Sequence, residues 1–164
     1  MDAGWRARVA DWLEPPAPAP LYGPLLSLRS ATGWVGGAVD PASLRGRVTL
    51  IVFFVHDDVR CASAMLEAEA MHRAYGPLGL AVVGVHEPAF GADVAAVVGA
   101  SVRALGVAFP VALDGRSAAW DAFKNRFWPA LYLVGRDGEL RHVQLGDDHP
   151  ERIEAKVRAL LTSS

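Results

Sequence analysis

The side chains of this chain that could do chemistry centre on its single cysteine, Cys61. Asp58 lies three residues before Cys61 and Arg60 directly before it, where a helix-like segment begins. The thiolate is the nucleophile in cysteine chemistry, and a helix N-terminus or a neighbouring cation favours the thiolate. Cys61 is therefore a candidate redox centre that forms a sulfenic acid or a mixed disulfide, with Arg60 favouring its anion.

The same residues also have an interpretation without catalysis. Free cysteine is among the most buried residue types, and burial raises its pKa, so Cys61 could be an inert small apolar residue. Aspartate is a favoured N-cap of helices, so Asp58 could cap the helix rather than act as an acid or base. A carboxylate beside the thiol would also oppose formation of the thiolate.

Two further pairs of polar residues follow predicted strands. His56 and Asp57 come after the first strand, and His86 and Glu87 come after the second. The carboxyl ends of parallel strands share one edge of a sheet, where ligands bind in open α/β folds. With Asp58 these side chains could support acid/base chemistry or hold a metal. Loop residues that bond turn backbone explain them equally, so we predict neither a metal ligand nor a cofactor.

The elements that must position these residues alternate between strand and helix. Near-continuous apolar runs, such as residues 48–55, are typical of strands covered on both faces. Strand, helix and strand in this order imply a right-handed parallel crossover. The predicted elements begin at Val48 and comprise strands at 48–55, 80–85, 109–113, 130–134 and 139–145 and helices at 59–75, 92–105, around 120 and from 150. They predict an α/β domain with one mixed sheet and helices on both faces.

The first 20 residues differ from this body. Apolar residues at helical spacing, among them Trp5 and Trp12, predict an amphipathic helix over residues 3–14. The proline-rich run that follows ends the helix and predicts an extended spacer up to residue 20. We therefore expect an N-terminal extension at 1–20 and a folded domain at 21–164. The tryptophan helix either docks on its own domain or joins two copies in a homodimer.

Composition narrows the class of protein. The 164 residues carry a net charge of −2, which disfavours the basic footprint that nucleic-acid and membrane binders use. We found no apolar run long enough for a membrane span and no signal-peptide pattern. A single cysteine provides no internal disulfide. These features predict a cytoplasmic protein.

Several separated motifs resemble those of one family. They are Leu44-Arg45-Gly46-Arg47-Val48, Val83-Gly84-Val85-His86-Glu87-Pro88-Ala89-Phe90, Pro110-Val111-Ala112-Leu113-Asp114 and Asn125-Arg126-Phe127-Trp128-Pro129-Ala130-Leu131-Tyr132-Leu133, followed by Asp137-Gly138. Together they resemble the thioredoxin-like domains of the TlpA/DipZ-like branch, the redoxins, which also occur at the front of some NHL-repeat proteins. The likeness covers residues 44–161 and implies a thioredoxin-like fold.

The resemblance transfers the active site only in part. Pro129 matches the proline that is cis in this family, and Trp128 before it is a candidate ligand contact. Cys61 matches the second cysteine of the family's C-x-x-C motif, whereas Asp58 stands where the first, nucleophilic cysteine is expected. Peroxiredoxins are also similar, but their motif proline and threonine would fall at Phe54 and Asp58. The dithiol reaction that the family implies therefore does not transfer.

The residues and the resemblance are compatible with three functions. The first is a single-cysteine thiol redox protein, an oxidoreductase or a peroxidase-like enzyme, in which Cys61 reacts and Pro129 presents backbone to a thiol or protein partner. The second is a redox-inert module that binds a small molecule, a peptide or a protein beside Pro129. The third is non-redox acid/base chemistry or metal binding with His56, Asp58, His86 and Glu87. We expect the first of these.

Overall fold

The computed structural model describes residues 19–163, so the predicted N-terminal helix and most of its spacer lie outside the described residues. The strands are β1 (Gly33–Val35), β2 (Thr49–Phe54), β3 (Ala81–His86), β4 (Val111–Leu113), β5 (Ala130–Val134) and β6 (Leu140–Leu145). The α-helices are α1 (Val59–Tyr75), α2 (Val94–Ala104), α3 (Ala118–Ala122) and α4 (Pro150–Thr162). Short 3-10 helices span Gly23–Ser30, Pro41–Leu44 and Gly76–Leu78.

The strands form one mixed sheet in the order β1-β4-β3-β2-β5-β6. Strand β3 runs parallel to both β2 and β4, whereas β5, β6 and β1 pair antiparallel with their neighbours. This is the thioredoxin-like arrangement, and it confirms the predicted mixed sheet. The parallel crossover brings the carboxyl ends of β2 and β3 to the same edge of the sheet. The candidate residues His56, Asp57, His86 and Glu87 lie at these strand ends.

Two apolar layers cover the sheet. Alternate residues of β2 point to opposite faces, so Leu50, Val52 and Phe54 join one core while Ile51 and Phe53 join the other. Helices α1, α2 and α4 pack on the first face, and α3 with the helix Gly23–Ser30 packs on the second. This confirms helices on both faces. No helix within residues 19–163 is both long enough and apolar enough to cross a bilayer.

The first strand of the folded domain comes earlier than the sequence predicted. We expected its first strand at Val48, but β1 precedes that point and pairs antiparallel with β4. The apolar residues Leu25 and Leu28 of the first 3-10 helix are also fully buried. A three-residue strand is too short to show an alternating pattern, and this one contains a glycine, so it gave no periodic signal.

A buried carboxylate fixes the loop before β4 to α1. Glu69 is almost fully buried, and its Oε2 accepts a hydrogen bond of 3.0 Å from the backbone N–H of Ala108. Its Oε1 accepts one of 2.9 Å from Nε of Arg73, one helical turn later. The guanidinium of Arg73 also donates to the carbonyl of Gly106, at 3.0 Å. Glu69 therefore joins α1 to the segment that leads into the sheet.

We predict unequal costs for removing the two partners of this contact. Glu69→Ala leaves the Ala108 N–H without its acceptor and should reduce the free energy of unfolding by about 2 kcal/mol. Arg73→Ala removes an exposed side chain and should cost less than about 1 kcal/mol. Urea denaturation of both variants measures the difference. Equal costs would contradict the role given to the Ala108 bond.

Candidate functional site

Asp58 caps helix α1, as the sequence predicted. Its Oδ1 accepts hydrogen bonds from the backbone N–H groups of Arg60, at 2.8 Å, and Cys61, at 3.1 Å. Its Oδ2 lies 3.4 Å from Nη2 of Arg60. The bond from the Cys61 N–H, followed by the contact with the Arg60 side chain, lowers the pKa of Asp58. A carboxylate therefore stands at the start of α1, in the place that the resemblance assigns to a nucleophilic cysteine.

Cys61 is fully buried below this cap. Its side chain is 0 % exposed and belongs to the core that contains Phe54 and Met65. Burial raises the pKa of the thiol to about 11, and the charge of Asp58 adds to this effect. Arg60 lowers that pKa, but its effect is smaller than that of burial. The thiol is thus protonated at neutral pH, which opposes the expected activation by Arg60.

The carboxyl ends of β2 and β3 bring two histidines together. Nδ1 of His56 lies 2.9 Å from Nε2 of His86, and the backbone N–H of His56 is 3.3 Å from the same nitrogen. His86 is buried, with its ring edge against Phe54. Burial, followed by the charge of His56, lowers the pKa of His86 to about 4, although exposed Asp57 acts in the opposite direction. The expected meeting of the two strand ends is confirmed for this pair.

Glu87 does not join the histidines, contrary to the sequence expectation. Its carboxylate accepts a hydrogen bond of 2.9 Å from Oγ of Ser117. Successive residues of a strand point to opposite faces, so Glu87 faces α3 while His86 faces the α1 layer. Burial raises the pKa of Glu87. Within residues 19–163, no three His, Cys, Asp or Glu side chains are grouped closely enough to hold a metal ion.

Trp128 and Pro129 form the loop that enters β5. Their peptide bond is cis, and the carbonyl of Pro129 accepts a hydrogen bond of 2.8 Å from the N–H of Gly146. The indole of Trp128 packs on that of Trp120, with ring centroids 4.8 Å apart, and against the core that holds Cys61. Trp128 therefore lies between the core that holds Cys61 and the surface of the loop that carries Pro129.

The structure adds three exposed apolar residues that sequence reasoning missed. Val59 is 83 % exposed, Phe127 is 56 % exposed and Leu145 is 51 % exposed. Phe127 lies two residues before Pro129, and Leu145 pairs with Ala130 directly after it. Val59 follows Asp58 at the first turn of α1. Only their place beside the candidate motifs could have singled them out, since lone apolar residues on a surface are common.

The capping role of Asp58 leads to a stability prediction. Asp58→Ala leaves the two N–H groups of Arg60 and Cys61 without their acceptor, and should lower the midpoint of thermal unfolding by a few degrees. Asp58→Asn keeps a capping oxygen and should lie closer to the parent protein. Because folding lowers the pKa of Asp58, the parent's advantage over Asp58→Asn is present above the unfolded pKa and disappears as pH falls through the folded pKa. Calorimetry at pH 7 and pH 3 measures both effects, and an unchanged midpoint in Asp58→Ala would contradict the cap.

Comparison with known proteins assigns the chain to a family. The family model described as Redoxin matches residues 30–161, which span most of the sequence. The chain belongs to the redoxin family. It is 36% identical to Protein DipZ of Mycobacterium tuberculosis over 142 residues, which cover 84% of this chain and 20% of DipZ. The chain therefore spans about a fifth of the length of that relative.

Other relatives match over nearly their full length. The thiol-disulfide oxidoreductase YkuV of Bacillus subtilis is 29% identical over 143 residues, covering 86% of this chain and 96% of YkuV. Among solved structures, a thiol-disulfide isomerase from Corynebacterium glutamicum superposes with a TM-score of 0.71 at 22% identity, over 82% of this chain and 94% of that one. These matches confirm the thioredoxin-like fold and the redoxin resemblance. Within this redoxin, Cys61 has no second cysteine with which to form an internal disulfide.

Proposed function

We propose that this redoxin is a redox-inert thioredoxin-fold module that binds an extended protein segment beside Asp58 and Pro129. The burial of Cys61, at 0 % exposure, carries the proposal, because no disulfide or peroxide can reach its sulfur without local opening. The raised pKa of the thiol acts in the same direction, since only the thiolate attacks. This favours the second of the three sequence-based functions over the first.

The substitution at Asp58 removes the other half of dithiol chemistry. A carboxylate cannot form a mixed disulfide, and Cys61 alone has no second thiol that could resolve a mixed disulfide by closing an internal one. Asp58 keeps a negative charge at the helix N-terminus, where a thiolate would otherwise lie. The site therefore keeps a negative charge at the helix N-terminus but cannot carry out dithiol–disulfide exchange.

The surface around Asp58 has the composition of a docking face. Val59 directly follows Asp58, Phe127 lies two residues before Pro129, and Leu145 pairs with the residue after Pro129; all three side chains are exposed. The hydrogen bond to Asp58 and its charge, and after them the charge of Asp147, raise the pKa of Arg60, so charged groups flank this part of the surface. Apolar residues with a polar rim are typical of protein interaction sites. We call Val59, Phe127 and Leu145 the apolar rim.

The backbone beside Pro129 offers a way to hold an extended segment. Within residues 19–163, neither the N–H nor the C=O of Trp128 takes part in a backbone hydrogen bond. Pairing with such free groups is how an extended peptide adds to a protein edge, while pockets for side chains provide specificity. A partner segment that pairs with Trp128 and sets an apolar side chain against the apolar rim fits this surface best.

Selection of peptides followed by mapping tests the proposal. A random 12-residue phage library is panned on the parent protein, and the recovered peptides are titrated into ¹⁵N-labelled protein. We expect their binding to shift the backbone amide of Trp128 and to weaken at least tenfold in Phe127→Asp and Leu145→Asp. Leu78→Asp, a change at an exposed apolar residue after α1, is the matched control. Peptides that bind all variants equally, or that map elsewhere, would refute the docking face.

A turnover assay tests the redox-inert part of the proposal. We expect the parent protein and Cys61→Ser to give the same background rate of insulin disulfide reduction with dithiothreitol. A rate clearly above background in the parent that disappears in Cys61→Ser would restore the single-cysteine function.

The compartment and the oligomeric state stay as sequence-based proposals. We propose the cytoplasm, where a lone thiol stays reduced. We also propose residues 3–14 as a homodimer contact, as an alternative to docking on the same chain. Sedimentation of the full chain and of a variant lacking residues 1–18 tests the contact. A monomeric mass for the full chain as well as for the shortened variant would rule out the dimer.

A further inference from the structure

A cavity opens within the sheet at the end opposite to Asp58 and Pro129. It has a volume of about 410 Å³ and lies at the amino end of β3, between Leu80–Val83 and Pro110. Val39 and Leu44 provide apolar walls. The carboxyl ends of β2 and β3 carry the proposed docking face, so the cavity is a separate site and does not depend on that proposal.

Pro110 explains why the sheet has a gap here. The N–H of Gly84 donates to the carbonyl of Pro110 at 2.9 Å, which is the first rung between β3 and β4. One rung earlier, a parallel ladder would need an N–H from residue 110 for the carbonyl of Val82, and proline has none. The chain before Pro110 instead turns to α1, where the N–H of Ala108 donates to Glu69.

Val82 consequently has an unpaired donor and acceptor facing the gap. The N–H of Ala81 donates to the carbonyl of Val48, so the backbone groups of Ala81 face β2. Those of Val82 face the other way, toward the cavity, since the direction alternates along a strand. Within residues 19–163, no hydrogen bond outside the regular strands uses either group. Val82 is only 3 % exposed, and buried backbone groups rarely stay unpaired.

In the described part of the chain, one side chain that lines the cavity, His72, also has an unpaired nitrogen, on the edge of its ring that lies near Gly76. The ring of His72 lines the cavity, and its Nδ1 is buried without a hydrogen-bond partner among the described residues. Arg47 lies at the rim, held by bonds to the carbonyls of Gly79 and Leu80 at 3.4 and 3.2 Å. A mostly apolar cavity with a few fixed polar groups is the usual form of a small-molecule site.

We propose that this cavity binds a small planar ring compound that carries a cyclic amide. The carbonyl of such an amide accepts from the Val82 N–H, and its ring N–H donates to the Val82 carbonyl, which replaces the missing rung. A flat ring fits because the gap lies in the plane of the sheet, between the walls formed by Val39, Leu44 and Pro110.

A pair of matched probes tests the proposed recognition. 2-Quinolone is a two-ring cyclic amide, and N-methyl-2-quinolone has the same rings without the N–H donor. Titrated into the ¹⁵N-labelled full chain, 2-quinolone should shift the amides of Val82 and Val83 in a saturable way, and the N-methyl compound should bind at least tenfold more weakly. Equal affinities, or no shift at these amides up to the solubility limit, would overturn the proposal.

Two variants test the same site from the side of the protein. Pro110→Ala provides the missing N–H for the Val82 carbonyl and should weaken 2-quinolone binding at least tenfold. Val39→Trp fills the cavity and should do the same, so the test stands even if one variant fails to fold. Val143→Trp, on exposed β6, is the control and should bind as the parent does. Parent-like binding by a folded Pro110→Ala or Val39→Trp would also overturn the proposal.

Discussion

Asp58→Cys is expected to turn this protein into a disulfide reductase. The substitution restores two cysteines at C-x-x-C spacing at the start of α1, beside Pro129, on a fold that the redoxin family shares. The new thiol would stand at the exposed first turn, where the helix N-terminus favours its thiolate. Cys61, buried behind it, would resolve the mixed disulfide. Insulin reduction with dithiothreitol should rise at least tenfold above the background of the parent.

Two control variants separate this gain from other effects. Asp58→Ser keeps a capping oxygen but provides no sulfur, so it should stay at background. Adding Cys61→Ser to Asp58→Cys leaves one exposed thiol, which should form mixed disulfides that accumulate without turnover. If Asp58→Cys showed no gain while it remained folded, the frame around Pro129 would not be that of a working reductase, and the loss of chemistry would not be local to Asp58.

Acid should destabilise the protein through His86. Folding lowers the pKa of His86 to about 4, below its ordinary value of 6.5, because the ring is buried and faces His56. The unfolded chain therefore binds a proton that the native state resists. The stability that the neutral ring provides is complete above pH 6.5 and is lost as pH falls toward 4, by at most roughly 3 kcal/mol.

Urea denaturation at pH 7.0, 5.5 and 4.5 measures this loss, and His86→Gln is the matched variant. Glutamine keeps a polar group at the carboxyl end of β3 but does not titrate, so its stability should depend less on pH than that of the parent. His149→Gln is the control, because His149 lies at the start of α4, away from the pair. Parallel pH profiles for the parent and His86→Gln would contradict the assignment.

The sequence predicted the features that depend on local pattern. Asp58 as a helix cap follows from residue type and position, and the His56–His86 contact follows from the crossover rule for parallel strands. The prediction for Glu87 was wrong because it considered only which edge of the sheet the residue reaches. Consecutive residues of a strand point to opposite faces, so Glu87 and His86 face different sides. Strand β1 escaped notice because three residues carry no period.

Other features depend on contacts that no local pattern contains. The burial of Cys61 results from packing among α1, β2 and the loop that carries Trp128, which are distant in sequence. The gap beside Val82 can be predicted only if the register is known in which β4, directly after Pro110, pairs with β3. A proline near a strand is visible in the sequence, but the residue that it leaves unpaired is not.

Thiol labelling of Cys61 tests the redox-inert account most directly. Native protein is mixed with excess Ellman's reagent at pH 8, and release of the coloured thiolate is followed with and without 6 M guanidinium chloride. We expect one thiol per chain to react at once in denaturant, and native labelling to be at least 100-fold slower and limited by opening of the core. Rapid, complete labelling of the native protein, with a pKa well below 8.5, would contradict the account and restore Cys61 as a reactive centre.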